Sequence, residues 1–184
     1  MLEQALRLDP KFTLAYCASA SIHDVLYEFY EPVIGRRALG DVAVNSALRL
    51  QPDLPEVHLA YGYHLYSAYR DYERARLHLV LAKRGLPNDP EAISLGAYID
   101  RRQGNWEKAI EQFNEAIKCD PANKSSLAAL VDTLVAARQI RAAGQVLDRL
   151  IGLLPDRPIL KIQKALTTCL ETGNNSDARL ASNR

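Results

Sequence analysis

Cysteine is scarce and unpaired in this chain: Cys17, Cys119 and Cys169 are the only three in 184 residues, widely separated and without Cys-x-x-Cys spacing. An odd, scattered set gives no basis for a disulfide framework or a thiolate zinc site, so three reduced thiols in helix packing are expected. A surplus of one charge is missing as well. Lys and Arg number 23 against 22 Asp and Glu, a formal net charge of +1. Counterion release from nucleic acid, or attraction to an anionic membrane, needs clustered cations that are not offset nearby. Neither partner is expected. No apolar run approaches the ~18 residues that cross a bilayer, and the opening MLEQALRLDP is amphipathic rather than a charged-then-apolar export signal. A cytoplasmic location follows as the expectation.

Catalytic devices are equally sparse. Gly-x-x-x-x-Gly-Lys-[Ser/Thr], Gly-x-Gly-x-x-Gly and Gly-x-Ser-x-Gly do not occur, so phosphate cradling, dinucleotide binding and serine-nucleophile chemistry lack their usual backbone supports. Four histidines build no site by spacing: His58 and His64 are six apart and fall on different helix faces, neither belongs to His-Glu-x-x-His, and His23 and His78 have no nearby partner. No metal and no cofactor is expected. Glu107, Glu111 and Glu115 step by four along one segment that also carries Lys108 and Lys118, the pattern of a solvated helix face. No residue is assigned a catalytic role, and the chain is not read as an enzyme.

What is present is a period. Pro10, Pro52, Pro87, Pro121 and Pro155 each close an amphipathic segment, and the last three intervals are 35, 34 and 34 residues. Proline cannot continue a helix, because it lacks an N–H and restricts the residue before it. Aligned on these prolines, Ala75, Ala109 and Ala143 lie twelve residues earlier, Val44, Leu79, Phe113 and Leu147 eight earlier, and Ala5, Ala47, Ala82, Ala116 and Leu150 five earlier. These positions form the i, i+3, i+4 stripe of a core-facing helix. Asp89 is placed to cap the helix that Pro90 and Glu91 begin. Self-similarity at this period signals a solenoid of helix hairpins, each burying its apolar face against its neighbours. The expected fold is all-α, a right-handed superhelical solenoid of antiparallel helix pairs, about four and a half in number.

The register predicts helices over 1–8, 13–30, 33–50, 55–69, 72–85, 90–103, 106–118, 124–137, 140–153 and 158–171. Residues 1–173 then form one solenoid domain: a half repeat at 1–12, an enlarged repeat at 13–54, repeats at 55–89, 90–123 and 124–157, and the first helix of another at 158–173. Residues 174–184 are either a second helix cut short or a disordered tail. Ragged ends suggest a piece of a larger protein, since solenoids normally finish in polar capping helices. The 42-residue interval from Pro10 to Pro52 carries eight surplus residues around DVLYEFYEPVIGRRALG. They are expected to lengthen the first helix of that repeat by about two turns, leaving Phe29 and Tyr30 either at an exposed tip as contact anchors or folded back on neighbouring helices.

The segment GNWEKAIEQFNEAIKCDP, Gly104 to Pro121, resembles the second half of a tetratricopeptide repeat, with Gly104, Trp106, Ala109, Phe113, Ala116 and Pro121 at the positions of that family's pattern. The resemblance extends over nearly the whole chain. Gly62 stands at the family's packing glycine, which Ala20, Ala97 and Val131 replace in the other repeats. Stretches such as AYGYHLYSAYRDYERA resemble the repeat regions of bacterial multidomain signalling and regulatory proteins. The resemblance implies that the first helix of each pair lines a concave groove through positions two, five, nine and twelve of its repeat. Here those are Glu56, Leu59, Tyr63 and Tyr66; Glu91, Ser94, Tyr98 and Arg101; Ser125, Ala128, Asp132 and Val135. The Lys and Asn with which some family members grip a C-terminal carboxylate are not at these positions.

Tyr63, Tyr66, Tyr98 and Arg101, with Leu59 and Asp132, are therefore the candidate contacts for a protein or peptide lying in the groove, since Tyr and Arg are enriched at binding hot spots. Two other roles stay open for them: tyrosines filling an inner seam, and Arg101 pairing only with Asp132. Two other functions stay open for the chain. Unfinished terminal helices can make it a self-association module, forming dimers or end-to-end stacks, or the repeats can select substrate for a catalytic domain outside these residues.

Overall fold

The computed structural model describes residues 2–30 and 32–173, and all regular structure among them is helical. In chain order the helices are α1 (Leu2–Leu8), α2 (Thr13–Phe29), α3 (Ile34–Leu50), α4 (Pro55–His64), α5 (Tyr72–Lys83), α6 (Pro90–Arg102), α7 (Trp106–Cys119), α8 (Lys124–Ala136), α9 (Ile140–Leu153) and α10 (Pro158–Thr172). Each predicted helix is found with its ends within two residues of expectation, α4 only when the π-helical turn Leu65–Tyr69 that continues it is included. The reading of residues 174–184 lies outside the described residues.

Starts and stops follow the local chemistry. Asp71, Asp89 and Asn123 accept the backbone N–H three residues on, from Arg74 (3.1 Å), Ala92 (2.9 Å) and Ser126 (2.9 Å), and so satisfy N–H groups that a helix start leaves without a partner. Helices end in turns that repeat as well. Arg70, Gly104, Arg138 and Gly173, spaced 34, 34 and 35 residues apart in sequence, all have left-handed backbone, with φ of 53°, 83°, 62° and 73°. Glycine enters that region at no steric cost and arginine does not.

Two compact units divide the chain, one ending at Ile99 and the other starting at Asp100. In the first, α2 packs on α3, α4 on α5, and α2 and α3 both touch α4. Its interior includes a cluster of Leu65, Tyr66, Ala75, Leu79, Ala92, Leu95 and Ile99, and smaller clusters around Cys17, Ala47, Val57 and Ala60 and around Ala20, Ala43 and Val44. A methyl on Gly62 would stand 2.9 Å from Leu95 Cδ2 and 3.4 Å from the Ala75 carbonyl oxygen, so the bare backbone is what admits α5 and α6 this closely. In the second unit α7 packs on α8, α8 on α9 and α9 on α10. Apart from half-buried Ala5, the stripe read from the prolines is buried: Val44, Ala47, Ala75, Leu79, Ala82, Ala109, Phe113, Ala116, Ala143, Leu147 and Leu150. Removing a side chain such as Phe113 from water contributes roughly 1.5–3 kcal/mol.

Irregular intervals leave distinct marks. The eight surplus residues do not all enter the first helix of their repeat: α2 and α3 are each 17 residues long, against 13 for α6 and 14 for α7. Lengthening both arms keeps the hairpin paired along its length, which a one-sided extension would not. The single surplus residue of the 35-residue interval coincides with a π-helical turn, Leu65–Tyr69, that continues α4. A π turn is how a helix takes in one extra residue without breaking.

Candidate functional site

The first helices of two successive pairs, α4 and α6, bring a set of tyrosines together within the first unit. The rings of Tyr63 and Tyr98 meet edge to face, 6.4 Å between centroids at 65°. Tyr66 lies 5.8 Å from Tyr98 and 5.8 Å from Tyr72. Both distances fall in the range where aromatic pairs attract beyond simple burial. Tyr63 and Tyr98 are half-buried, and Leu59 packs beneath them against the same cluster. Tyr66, expected on the groove, is instead a core residue with 5% exposure. The π turn that begins one residue before it rotates it inward, so Tyr66 supports Tyr98 from behind.

Carboxylates frame these rings. The Tyr63 hydroxyl donates to the backbone oxygen of Glu91 (3.0 Å) and to its Oε2 (3.2 Å). Burial first, then the negative charge of Glu91, holds the Tyr63 pKa well above 10, with Asp89 acting in the same direction. Glu91 is exposed in the first turn of α6, where the helix dipole favours its charge. On α4, Glu56 is half-buried and its Oε2 is enclosed without a hydrogen-bond partner among the described residues. Burial, then the Glu56 charge, pushes the Cys17 thiol up to about 11, so Cys17 stays a protonated thiol at neutral pH.

Arg101 and Asp132 lie in the second unit, where with Arg102, Gly104, Trp106 and Ala136 they line an open cleft of about 420 Å³. Arg101 donates from Nη1 to Thr133 Oγ1 (3.4 Å). Burial raises the Asp132 pKa, and the Arg101 charge opposes that rise. Phe29 and Tyr30 are 70% and 73% exposed at the end of α2. Val33 and Ile34, at the start of α3, are exposed as well.

One constellation was not legible in the spacing. His64 is fully buried, with Nδ1 2.7 Å from Asp24 Oδ1 and Nε2 3.0 Å from Asp41 Oδ1. A carboxylate oxygen at each ring nitrogen favours the doubly protonated imidazolium, in which both N–H groups donate. Burial alone lowers its pKa, but the bond and charge of Asp24, then those of Asp41, outweigh it and raise the pKa above 6.5. The Tyr69 hydroxyl donates to both oxygens of Asp41 (2.8 and 3.0 Å), and the Arg37 guanidinium sits 5.2 Å over the Tyr69 ring. At Gly40 an added Cβ would stand 2.8 Å from His64 Cε1, so α3 reaches the imidazole only through a bare backbone. His64 and Asp24 are sealed from solvent while Asp41 and Tyr69 are partly exposed, and the group ties α2, α3 and α4 together.

The remaining histidines also differ from expectation. His78 has a partner: its Nδ1 lies 3.1 Å from Nδ1 of His58. Burial, then His58, then Arg74 lowers the His78 pKa to about 4, and burial lowers that of His58. The pair is therefore neutral at pH 7, one ring donating to the other. No group of three or more His, Cys, Asp or Glu side chains suited to a metal occurs among the described residues.

Neither a family model nor a curated protein matches this sequence. Solved structures do. PilW, a type IV pilus biogenesis factor, superposes with a TM-score of 0.74 at 19% identity, over 99% of this chain and 80% of its own. PilF of Pseudomonas aeruginosa gives 0.67 at 20% identity, over 98% of this chain and 78% of its own. A chain of the APC/C hetero-tetramer Cut9–Hcn1 gives 0.76 at 16% identity over 98% of this chain, which spans only 34% of that one. At such identities the likeness establishes fold alone, and the fold is the all-α helix-pair solenoid of tetratricopeptide-repeat proteins.

Proposed function

We propose that this chain is a non-catalytic interaction scaffold that holds an extended peptide or a partner helix against the tyrosine face of α4 and α6. The observation that carries this reading is the contact of Tyr63 with Tyr98, side chains from successive first helices, backed by buried Tyr66. Rings fixed in this way lose little conformational freedom on binding, and preformed aromatic contacts of this kind are hot-spot anchors. Leu59 supplies the apolar floor. Arg101 and Asp132 offer a polar contact in the second unit, with a cation and a carboxylate on one open cleft. The resemblance to bacterial regulatory proteins supports a role as the recognition region of such a protein in the cytoplasm, where Cys17, Cys119 and Cys169, none of them in a disulfide, stay reduced.

The test is selection of binders to the whole chain from a random displayed-peptide library, followed by titration of those peptides. Tyr98→Ala weakens them at least tenfold while helicity and melting stay within a degree or two of the parent. Undiminished affinity, or a loss of stability as large as the loss of binding, overturns the reading.

A second reading has its own observation. The exposed apolar surface of Phe29, Tyr30, Val33 and Ile34 favours self-association. Light scattering over a concentration series decides: a constant monomer mass rejects it, and a rise in mass abolished by Phe29→Ser with Ile34→Ser establishes it.

A further inference from the structure

The interaction reading leaves the chemistry of the partner open, and the next step rests on that reading. Two parallel rows run along the tyrosine face. On α4, Glu56 precedes Tyr63 by seven residues; on α6, Glu91 precedes Tyr98 by seven. Seven residues are two helical turns, so in each row a carboxylate and a ring share one face about 10 Å apart along the axis. The rows are joined where Tyr63 donates to Glu91 across the helices. One surface thus carries two carboxylates and two half-buried aromatic rings, with Glu91 against the Tyr63 hydroxyl.

Its electrostatics has a definite sign. The charges that act on the Tyr63 hydroxyl are the carboxylates of Glu91 and Asp89. Tyr63 donates its proton to Glu91, so its own oxygen reinforces the acceptor character of the site. The Glu56 Oε2 is enclosed without a hydrogen-bond partner among the described residues, an unsatisfied acceptor that a donor would relieve. Arg101, the cation one turn beyond Tyr98 on α6, is turned to Thr133 and acts on Asp132. Aromatic faces carry negative quadrupole charge and attract cations within ~6 Å of the centroid.

We propose that this face selects a protein segment through its Lys or Arg side chains. The aliphatic stem lies across Tyr63 and Tyr98, and the ammonium or guanidinium is held by Glu91 and Glu56. A long cationic side chain matches both ends of each row, because its stem covers apolar surface while its head reaches a carboxylate.

The experiment uses the peptides selected against the whole chain. Lys and Arg are enriched in them over the unselected library, and replacing the anchoring Lys or Arg of a synthetic binder by Gln raises Kd about tenfold, in line with a desolvated cation held by a ring and a carboxylate. In the protein, Glu91→Gln with Glu56→Gln produces a similar loss and flattens the salt dependence of binding, while the circular dichroism spectrum and melting stay unchanged. Binders without basic enrichment, or with affinities indifferent to the Glu91 and Glu56 changes, overturn the cationic assignment yet leave the groove reading standing if Tyr98→Ala still weakens them. Selection that yields no binder, or binders indifferent to Tyr98→Ala, overturns both.

Discussion

Among the described residues each of the two units has a fully buried ionic centre, and they satisfy it in opposite ways. In the unit that starts at Asp100, that aspartate is itself fully buried and accepts from Asn105 Nδ2 (3.2 Å), Gln112 Nε2 (3.0 Å) and Lys108 Nζ (3.2 Å). These three partners lie within twelve residues, inside one helix hairpin. In the unit that ends at Ile99, His64 is bonded to Asp24 and Asp41, 40 and 23 residues away on two other helices. The local centre leaves the 34-residue period undisturbed. The long-range one coincides with each irregularity of the chain: the 42-residue interval that contains Asp24 and Asp41, the π turn after His64, and a glycine on α3 admitted against the imidazole. Regularity in a repeat array survives where each hairpin satisfies its own polar groups and gives way where one group must serve three helices.

Truncating the two centres gives the sharpest contrast. His64→Ala leaves two carboxylates facing each other without their shared cation, one of them buried, a change that costs about 3–5 kcal/mol. Asp100→Ala removes an acceptor whose partners include Lys108, with a half-exposed side chain that water can serve instead, so the cost is about 1–3 kcal/mol. Denaturant unfolding measures both, and amide exchange locates them. Exchange should rise in α2, α3 and α4 for His64→Ala and at the α6–α7 turn for Asp100→Ala. Equal costs would show that the reach of a buried centre does not govern its worth.

Acidity separates the units next, because all four histidines precede Asp100. His64 has a folded pKa above its unfolded value of 6.5, so its contribution is complete below pH 6.5 and is lost as pH rises through the folded value. The groups facing it are Asp24, Asp41 and Tyr69, with His23 acting on Asp24 and Arg37 on Tyr69. His58 and His78 have lowered folded pKa values, about 4 for His78; they bind protons better unfolded, so stability falls as pH drops below 6.5 toward 4. Exchange protection in α4 should therefore peak near pH 6.5, while protection in α8 stays level between pH 6 and 8. His64→Leu removes the alkaline fall and His78→Leu the acid one. A pH-independent α4 in the parent chain would show that His64 is not held as the cation.

Much of this architecture is written in short spacings. The proline interval, the small residue at Ala75, Ala109 and Ala143, and the Asp89 cap each depend on neighbours within one hairpin, and the helices form where those signals place them. Tyr63 and Tyr98 also follow from the repeat register, since they occupy the same position of successive repeats. Tyr66 does not, because counting from the start of its repeat takes no account of a residue absorbed by a π turn farther along. The His64 centre and the His58–His78 contact escape for another reason. Their partners lie 20 to 40 residues away at intervals unrelated to the period, and only the packing of whole helices brings them together. The clue available was the 42-residue interval itself, which marks where the chain departs from repetition without saying what fills the departure.

The smallest effect concerns the turns. Arg70 and Arg138 occupy the left-handed position that Gly104 and Gly173 take in the neighbouring repeats, and a non-glycine residue there costs about 1–2 kcal/mol in steric conflict between its Cβ and the backbone. Glycine relieves that conflict but adds freedom to the unfolded chain, so the net gain from Arg138→Gly is only about 0.5–1 kcal/mol. The converse substitution, Gly104→Arg, loses a similar amount. Placed side by side, the two variants ask whether the turn is one repeating device across the chain: the sum of their effects should be near zero when both are made together, because the sites share no partner and should be additive. A gain from Arg138→Gly without a loss from Gly104→Arg would mean that the turn after α6 tolerates a side chain its counterpart after α8 does not, and that the two repeats differ in backbone strain despite their common φ.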